Sequence, residues 1–237
     1  MKTRLTGIFT LIAVIVSFQS VRAAGENREV AAFAEISLRV PATLHVKQGE
    51  TQSVEIVAKE SALEKIVTEV KDRELVIRFP TKNYLWKDFT PGKIEIFITV
   101  PEVNALSVAG SGDIVNDGEI NSRIIELEIS GSGRMFLKDL KAERVKASIS
   151  GSGDMELSGT GKAVDLSVLV SGSGNFKGLD FASDDVNVKI SGSGDAFVYA
   201  VNSLKVRAAG SGDVEYKGNP SIDQSIVGSG KVSEYTK

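Results

Sequence analysis

Cysteine is absent from all 237 residues. That one absence removes disulfides, thiolate metal centres, a cysteine nucleophile and a lipid-modified N-terminal cysteine together. Histidine is almost absent: His45 is the only one, so a Ser-His-Asp triad could be assembled once, through His45 alone. His45 stands between Leu44 and Val46 on an expected strand, where a structural or exposed histidine is the simpler reading. The net charge is −3 with both signs interspersed, which excludes the concentrated basic face that grips nucleic acid. Nothing resembles a nucleotide or zinc site, and no cofactor is implied. Long apolar runs are missing except near the start, where Met1, Lys2 and Arg4 precede 12 uncharged residues from Gly7 to Phe18, followed by Val21-Arg22-Ala23. A basic start, a short apolar run and small residues at a processing point form the layout of a secretory signal peptide over 1–23. The run is too short for a membrane span, which takes about 20 apolar residues. The expectation is an exported protein, periplasmic, cell-surface or extracellular, not a lipoprotein and with no transmembrane segment after cleavage.

Glycine is what the chain has, 23 in all, and most of it is regularly placed. Seven Gly-Ser-Gly copies are bounded by Gly110 and Gly112, Gly131 and Gly133, Gly151 and Gly153, Gly172 and Gly174, Gly192 and Gly194, Gly210 and Gly212, and Gly228 and Gly230. Their starts are 21, 20, 21, 20, 18 and 18 residues apart, the mark of a chain that stacks one unit on itself. Two residues before each first glycine stand Val108, Ile129, Ile149, Val170, Ile190, Ala208 and Ile226; four before stand Leu106, Leu127, Ala147, Val168, Val188, Val206 and Gln224. The columns between them are mostly polar. Apolar and polar residues alternating with period two predict a strand with one face buried. After each corner comes a polar residue and then Ile114, Met135, Met155, Phe176, Ala196, Val214 or Val232, the first inward position of a second strand.

A unit of about 20 residues with two strands cannot bury its apolar face alone, so units must stack. Propeller blades need about 40 residues, and the leucine-rich frame is absent. The fold class predicted is all-β, a right-handed parallel β-helix, or solenoid, with Gly-Ser-Gly at its corners. At ~4.8 Å per rung, six intervals span roughly 29 Å. The corners read as bends rather than phosphate cradles, because no helical pattern follows any of them.

Residues 24–105 have a different texture. Strands are expected on either side of Pro41, over Ser53 to Ala58, Glu74 to Phe79 and Lys93 to Val100. A short helix is expected at Ser61-Ala62-Leu63-Glu64, with Ser61 as N-cap and Glu64 completing a capping box. These irregular coils would cover the N-terminal edge of the regular stack over 106–237, the whole of 24–237 forming one domain. Several stretches together resemble a known bacterial family: Phe33 with Ile36, Val54-Glu55-Ile56, Leu63-Glu64-Lys65-Ile66, Leu75-Val76-Ile77, and Val100-Pro101-Glu102-Val103-Asn104-Ala105-Leu106 leading into Gly110-Ser111-Gly112-Asp113. The family is the putative auto-transporter adhesin, head GIN domain. The resemblance implies an exported β-helical envelope protein and an adhesin function. It brings no catalytic residues, and no translocating barrel is expected in these 237 residues.

Three features could carry chemistry. The column after the corners holds Asp113, Arg134, Asp154, Asn175, Asp195, Asp213 and Lys231. Alternate rungs would set carboxylates ~9.6 Å apart, near the upper limit for an inverting glycosidase, but a mixed polar column is also what a solvated turn looks like. Calcium would need six to eight oxygens, whereas one carboxylate recurs per coil. Outside the repeats, Tyr84, Trp86 and Phe89 form a candidate ligand-contact loop between Pro80 and Pro91, or else close an end of the core. The reading reached is a non-enzymatic binding or adhesion module, with polysaccharide or a cell-surface protein as partner. A carbohydrate-active enzyme using the Asp column and a purely structural envelope protein remain as alternatives. Charged Lys231, Glu234 and Lys237 near the last edge favour a monomer.

Overall fold

The computed structural model describes residues 24–80 and 90–236, so the leader at 1–23 and the aromatic residues Tyr84, Trp86 and Phe89 lie outside the described residues. The strands before the repeats are β1 (Ala24–Asn27), β2 (Glu35–Arg39), β3 (Thr43–Gln48), β4 (Ser53–Ala58), β5 (Val67–Lys71), β6 (Glu74–Arg78) and β7 (Glu95–Val100), with one short helix, α1 (Glu60–Leu63). The repeats contribute β8 (Ala105–Gly110), β9 (Asp113–Asn116), β10 (Ile120–Gly131), β11 (Arg134–Leu137), β12 (Leu140–Gly151) and β13 (Asp154–Gly172). They continue through β14 (Asn175–Gly192), β15 (Ala196–Gly210), β16 (Val214–Lys217), β17 (Ser221–Gly228) and β18 (Val232–Glu234).

The chain is a β-solenoid of about 6 turns, as its period predicts. Two parallel ladders run its length on either side of the glycine corner. Before the corner, Gly110, Gly131, Gly151, Gly172, Gly192, Gly210 and Gly228 pair in a single register from coil to coil. After it, Ile114, Met135, Met155, Phe176, Ala196, Val214 and Val232 do the same. Both alternating columns point inward: Leu127, Ala147, Val168, Val188 and Val206 are buried on one ladder, and Met135, Met155, Phe176 and Ala196 on the other. Each large aliphatic or aromatic side chain so covered stabilises the stack by roughly 1.5–3 kcal/mol. The last coil is the exception. There Ile222, which pairs with the buried Leu204, is 42% exposed, because no further described rung covers it.

The N-terminal coils do not follow chain order. β2 pairs with β8 on one side and β6 on the other, while β3 lies between β9 and β7. The coil β2–β3 is therefore threaded between β6–β7 and β8–β9. Its corner is Val40-Pro41-Ala42 instead of Gly-Ser-Gly, and Gly112 of the coil above packs against the carbonyls of Val40 and Ala42. Three antiparallel strands finish this end: β5 on β6, and β4 on β7 with β1 outside it. They cover the edge that a bare parallel stack would leave open to other chains.

The N-cap of helix α1 lies two residues earlier than its sequence suggests. Lys59 is the N-cap and makes no side-chain cap hydrogen bond; its carbonyl accepts from the amides of Ala62 and Leu63 at 2.8 and 3.0 Å. Burial of Ala62 and Leu63 holds this turn in place of the expected Ser61 capping box. At its far end, Arg28 Nη2 donates to the Leu63 carbonyl at 2.8 Å.

From β13 onward, one strand bends through two sides of a coil; in β13 the bend holds Gly159 and Gly161, the latter at φ +151°, and the ladder absorbs the turn as register shifts between Glu156 and Lys162 and between Gly178 and Asp185. Ser183 lies in this stretch, opposite Ala163 and Ala200. It is fully buried, and its hydroxyl has no partner among the described residues. Since an unsatisfied buried hydroxyl costs about 1–3 kcal/mol, Ser183→Ala should raise the melting temperature. A thermal melt showing a lower one would mean the hydroxyl has a partner.

Candidate functional site

The corner settles first what the repeated Gly-Ser-Gly can do. The Gly172 carbonyl accepts from the amides of Ser193 and Gly194 at 2.8 and 3.1 Å, and the Gly151 carbonyl accepts from Ser173 and Gly174 at 2.8 and 3.0 Å. From the second corner to the seventh, the serine amide is donated to the glycine carbonyl of the coil beneath. An anion would have to compete with the ladder for those donors, so the corners act as bends.

The Asp column is likewise tied into the stack. Asn175 Nδ2 donates to Asp154 Oδ1 at 2.8 Å, and the Asp195 amide donates to Asn175 Oδ1 at 3.2 Å. The Asp213 amide donates to Asp195 Oδ1 at 2.8 Å, and the Lys231 amide to Asp213 Oδ1 at 3.0 Å. At the other end Arg134 clamps both oxygens of Asp113, at 3.1 and 2.7 Å. That hydrogen bond and the carboxylate's charge push the Arg134 guanidinium pKa further up from its ordinary value. Side-chain oxygens thus stand in for carbonyls where the strand resumes after the corner. A carboxylate held this way serves as an acceptor, and an amide oxygen can replace it. Asp195→Asn should leave stability unchanged, whereas Asp195→Ala should cost about 1 kcal/mol by orphaning the Asp213 amide; equal melts for the two variants would remove the column's structural role.

Cross-rung ion pairs hold the outer faces in register, among them Glu119 with Lys141, Arg144 with Asp165, and Lys162 with Asp184. On the open C-terminal coil, Arg207 donates to Asp223 at 2.7 Å and holds that carboxyl below the usual carboxylate range. The pair's contribution is present at neutral pH and fades as acid protonates Asp223.

One outward column breaks the polar rule. On the ladder after the corner, Phe97, His45, Val115 and Phe136 lie on four successive rungs. Phe97 is 36% exposed. The His45 and Phe97 rings stack with centroids 4.8 Å apart and planes 17° from parallel. His45 Nδ1 lies 3.6 Å from Asp117 Oδ2, and the Arg134 guanidinium sits 5.7 Å from the Phe136 ring centre. His45 is thus one layer of an outward apolar ridge. Farther along the same column come Glu156, Lys177 and Phe197. A groove of about 280 Å³ opens there between Leu179 and Tyr235. Sequence reasoning missed both features, because the ridge gathers residues from four separate strands, β3, β7, β9 and β11.

Among the described residues, no group of three or more His, Asp or Glu side chains could hold a metal ion, and no helix is long and apolar enough to cross a membrane. Fold and surface together define a β-solenoid built on Gly-Ser-Gly corners, with side-chain ladders on its turns and an apolar ridge along one outer face. The chain belongs to the family described as putative auto-transporter adhesin, head GIN domain, whose model matches residues 32–220. Its fold is shared with solved structures. A putative adhesin from Bacteroides fragilis superposes with a TM-score of 0.84 at 23% identity, over 91% of this chain and 98% of that one. A putative lipid binding protein from Parabacteroides distasonis gives 0.73 at 23% identity, over 91% and 97%. A putative adhesin from Parabacteroides merdae gives 0.70 at 22% identity, over 91% and 97%. No curated protein matches the chain.

Proposed function

We propose that this protein is an exported, non-enzymatic binding or adhesion module of the bacterial cell envelope. The observation that carries the reading is the outward apolar ridge of Phe97, His45, Val115 and Phe136 on a rigid ladder. Apolar side chains on consecutive solvent-facing rungs cost solubility unless something covers them. Membership of an adhesin family supports the same reading and the exported location. The engagement of the Asp column with backbone amides weighs against the glycosidase alternative, since those carboxylates already have work in the stack.

Polysaccharide or a cell-surface protein is the partner proposed. Tyr84, Trp86 and Phe89 join the proposal, because their segment leads into β7, the strand that carries Phe97. If that loop binds, Trp86→Ala should lose ligand retention with its far-UV spectrum intact; if it packs, the same change should mainly lower thermal stability. The test passes the purified protein over a panel of envelope and host polysaccharides and scores retention together with new reducing ends. Retention without release supports the module. Release overturns it in favour of a carbohydrate-active enzyme, and neither on any polysaccharide or surface-protein bait leaves a structural envelope component. The module is proposed to act as a monomer, and concentration-dependent light scattering would refute that.

A further inference from the structure

We propose that the groove over Phe197 binds a single pyranose ring of a polysaccharide, an inference that rests on the binding-module reading. The groove exists because of a local mismatch between coils. β14 pairs Gly178 with Val198 and then Ala182 with Tyr199, so Leu179, Asp180 and Phe181 have no counterpart in the next coil. At this point the corner spacing falls from 20 to 18 residues, and the wall steps inward beside the bulge. Phe181 is buried and anchors the bulge. Asp180 stays exposed at its lip.

Two further contacts fix the shape. Lys217 Nζ reaches across from β16 to the Leu179 carbonyl at 3.3 Å and to Asp180 Oδ1 at 3.4 Å. On the opposite side the Tyr235 amide donates to the Tyr216 carbonyl at 2.8 Å, which sets Tyr235 against the groove. The result is a recess lined by two aromatic residues and Leu179, with Glu156, Lys177 and Asp180 around it.

That lining selects the ligand class. A pyranose ring presents C–H groups on its faces and hydroxyls around its edge, so it needs an apolar or aromatic surface together with charged acceptors and donors at the rim. The volume of about 280 Å³ falls just under the roughly 300–1,000 Å³ of drug-sized sites, which limits the occupant to one ring. An acyl chain would have to desolvate Glu156, Lys177 and the Lys217–Asp180 pair while offering none of them a hydrogen bond. An anion would meet two carboxylates, with one of the two lysines already turned to Asp180.

Saturation-transfer NMR with D-glucose, D-galactose, D-mannose and N-acetyl-D-glucosamine as separate probes tests this. The expected result is transfer to the ring protons of at least one sugar. Its association should weaken about tenfold in Phe197→Ala, and comparably in Tyr235→Ala, a change beyond the last strand that spares the core. Leu169→Ala, exposed on the outer face of the ladder before the corner, should leave it unchanged. No transfer from any of the four sugars, or undiminished transfer in both groove variants, overturns the proposal. Retention on polysaccharide separates the two failures: full retention by Phe197→Ala keeps the module and discards the groove, while a wild-type protein retained by no polysaccharide or protein bait discards the module itself.

Discussion

Replacing Gly172 with alanine should lower the melting temperature by roughly 8–16 °C, whereas the same change at Gly110 should lower it by about half as much. Both residues open a Gly-Ser-Gly corner with positive φ, +122° at Gly172 and +111° at Gly110. A side chain there pays a conformational cost on the order of 1–3 kcal/mol. The surroundings differ. A Cβ on Gly172 would lie 2.3 Å from the Gly151 carbonyl oxygen and 3.1 Å from its carbon, while a Cβ on Gly110 meets nothing within 4 Å. The atoms in the way at Gly172 are backbone and belong to the hydrogen-bonded corner below, so relief requires the rungs to part. That overpacking adds about 1–3 kcal/mol. Gly110 escapes because the coil beneath it turns at Val40-Pro41-Ala42. Circular-dichroism melts of the two variants make the comparison, and equal losses would show that φ alone, without close approach, selects glycine at these corners.

This contrast also marks where the chain could be read without coordinates. Stacking repeats its environment, so any requirement met in every coil is written into the sequence at a fixed period. The glycine corners and the two inward columns were legible on that account, and the strand at Ser53–Ala58 by its own alternation. Features made once and without such a local pattern were not. The Asp72-Arg73 turn between β5 and β6 takes positive φ of 52° and 68° with neither glycine nor asparagine to announce it, so β5 went unread. The threading of β2–β3 between β6–β7 and β8–β9 follows from which edges remain unpaired, a non-local matter that no local pattern encodes. The candidate surface depends directly on that threading, because His45 meets Phe97 and Val115 only once the coils interleave. The Asp column was visible as a column, but its task was not: Asp and Asn look alike as solvated turn residues until their oxygens are seen to accept amides from the next coil.

The core beneath the groove leads to the second large effect. Phe176 is fully buried and heads the set of largest buried side chains. Its column neighbours are Met155 on one side and Ala196 on the other. A large ring in a narrow coil needs small residues beside it, and Gly178 is one: a Cβ there would stand 2.8 Å from Phe176 Cε1 and 3.1 Å from Cζ. Phe176→Ala should therefore cost about 3–5 kcal/mol by opening a cavity, and Gly178→Ala about 1–3 kcal/mol by pressing on the ring. The double variant should lose less than the sum, because alanine at 178 no longer meets a ring and occupies part of the space it left. Denaturant melts of the four proteins give the coupling energy directly. A coupling indistinguishable from zero would mean the coil relaxes around Phe176 without using Gly178. A clear coupling would tie the core to the surface, because Gly178 immediately precedes the Leu179-Asp180-Phe181 bulge that walls the groove, and anything that shifts it moves that wall relative to Phe197.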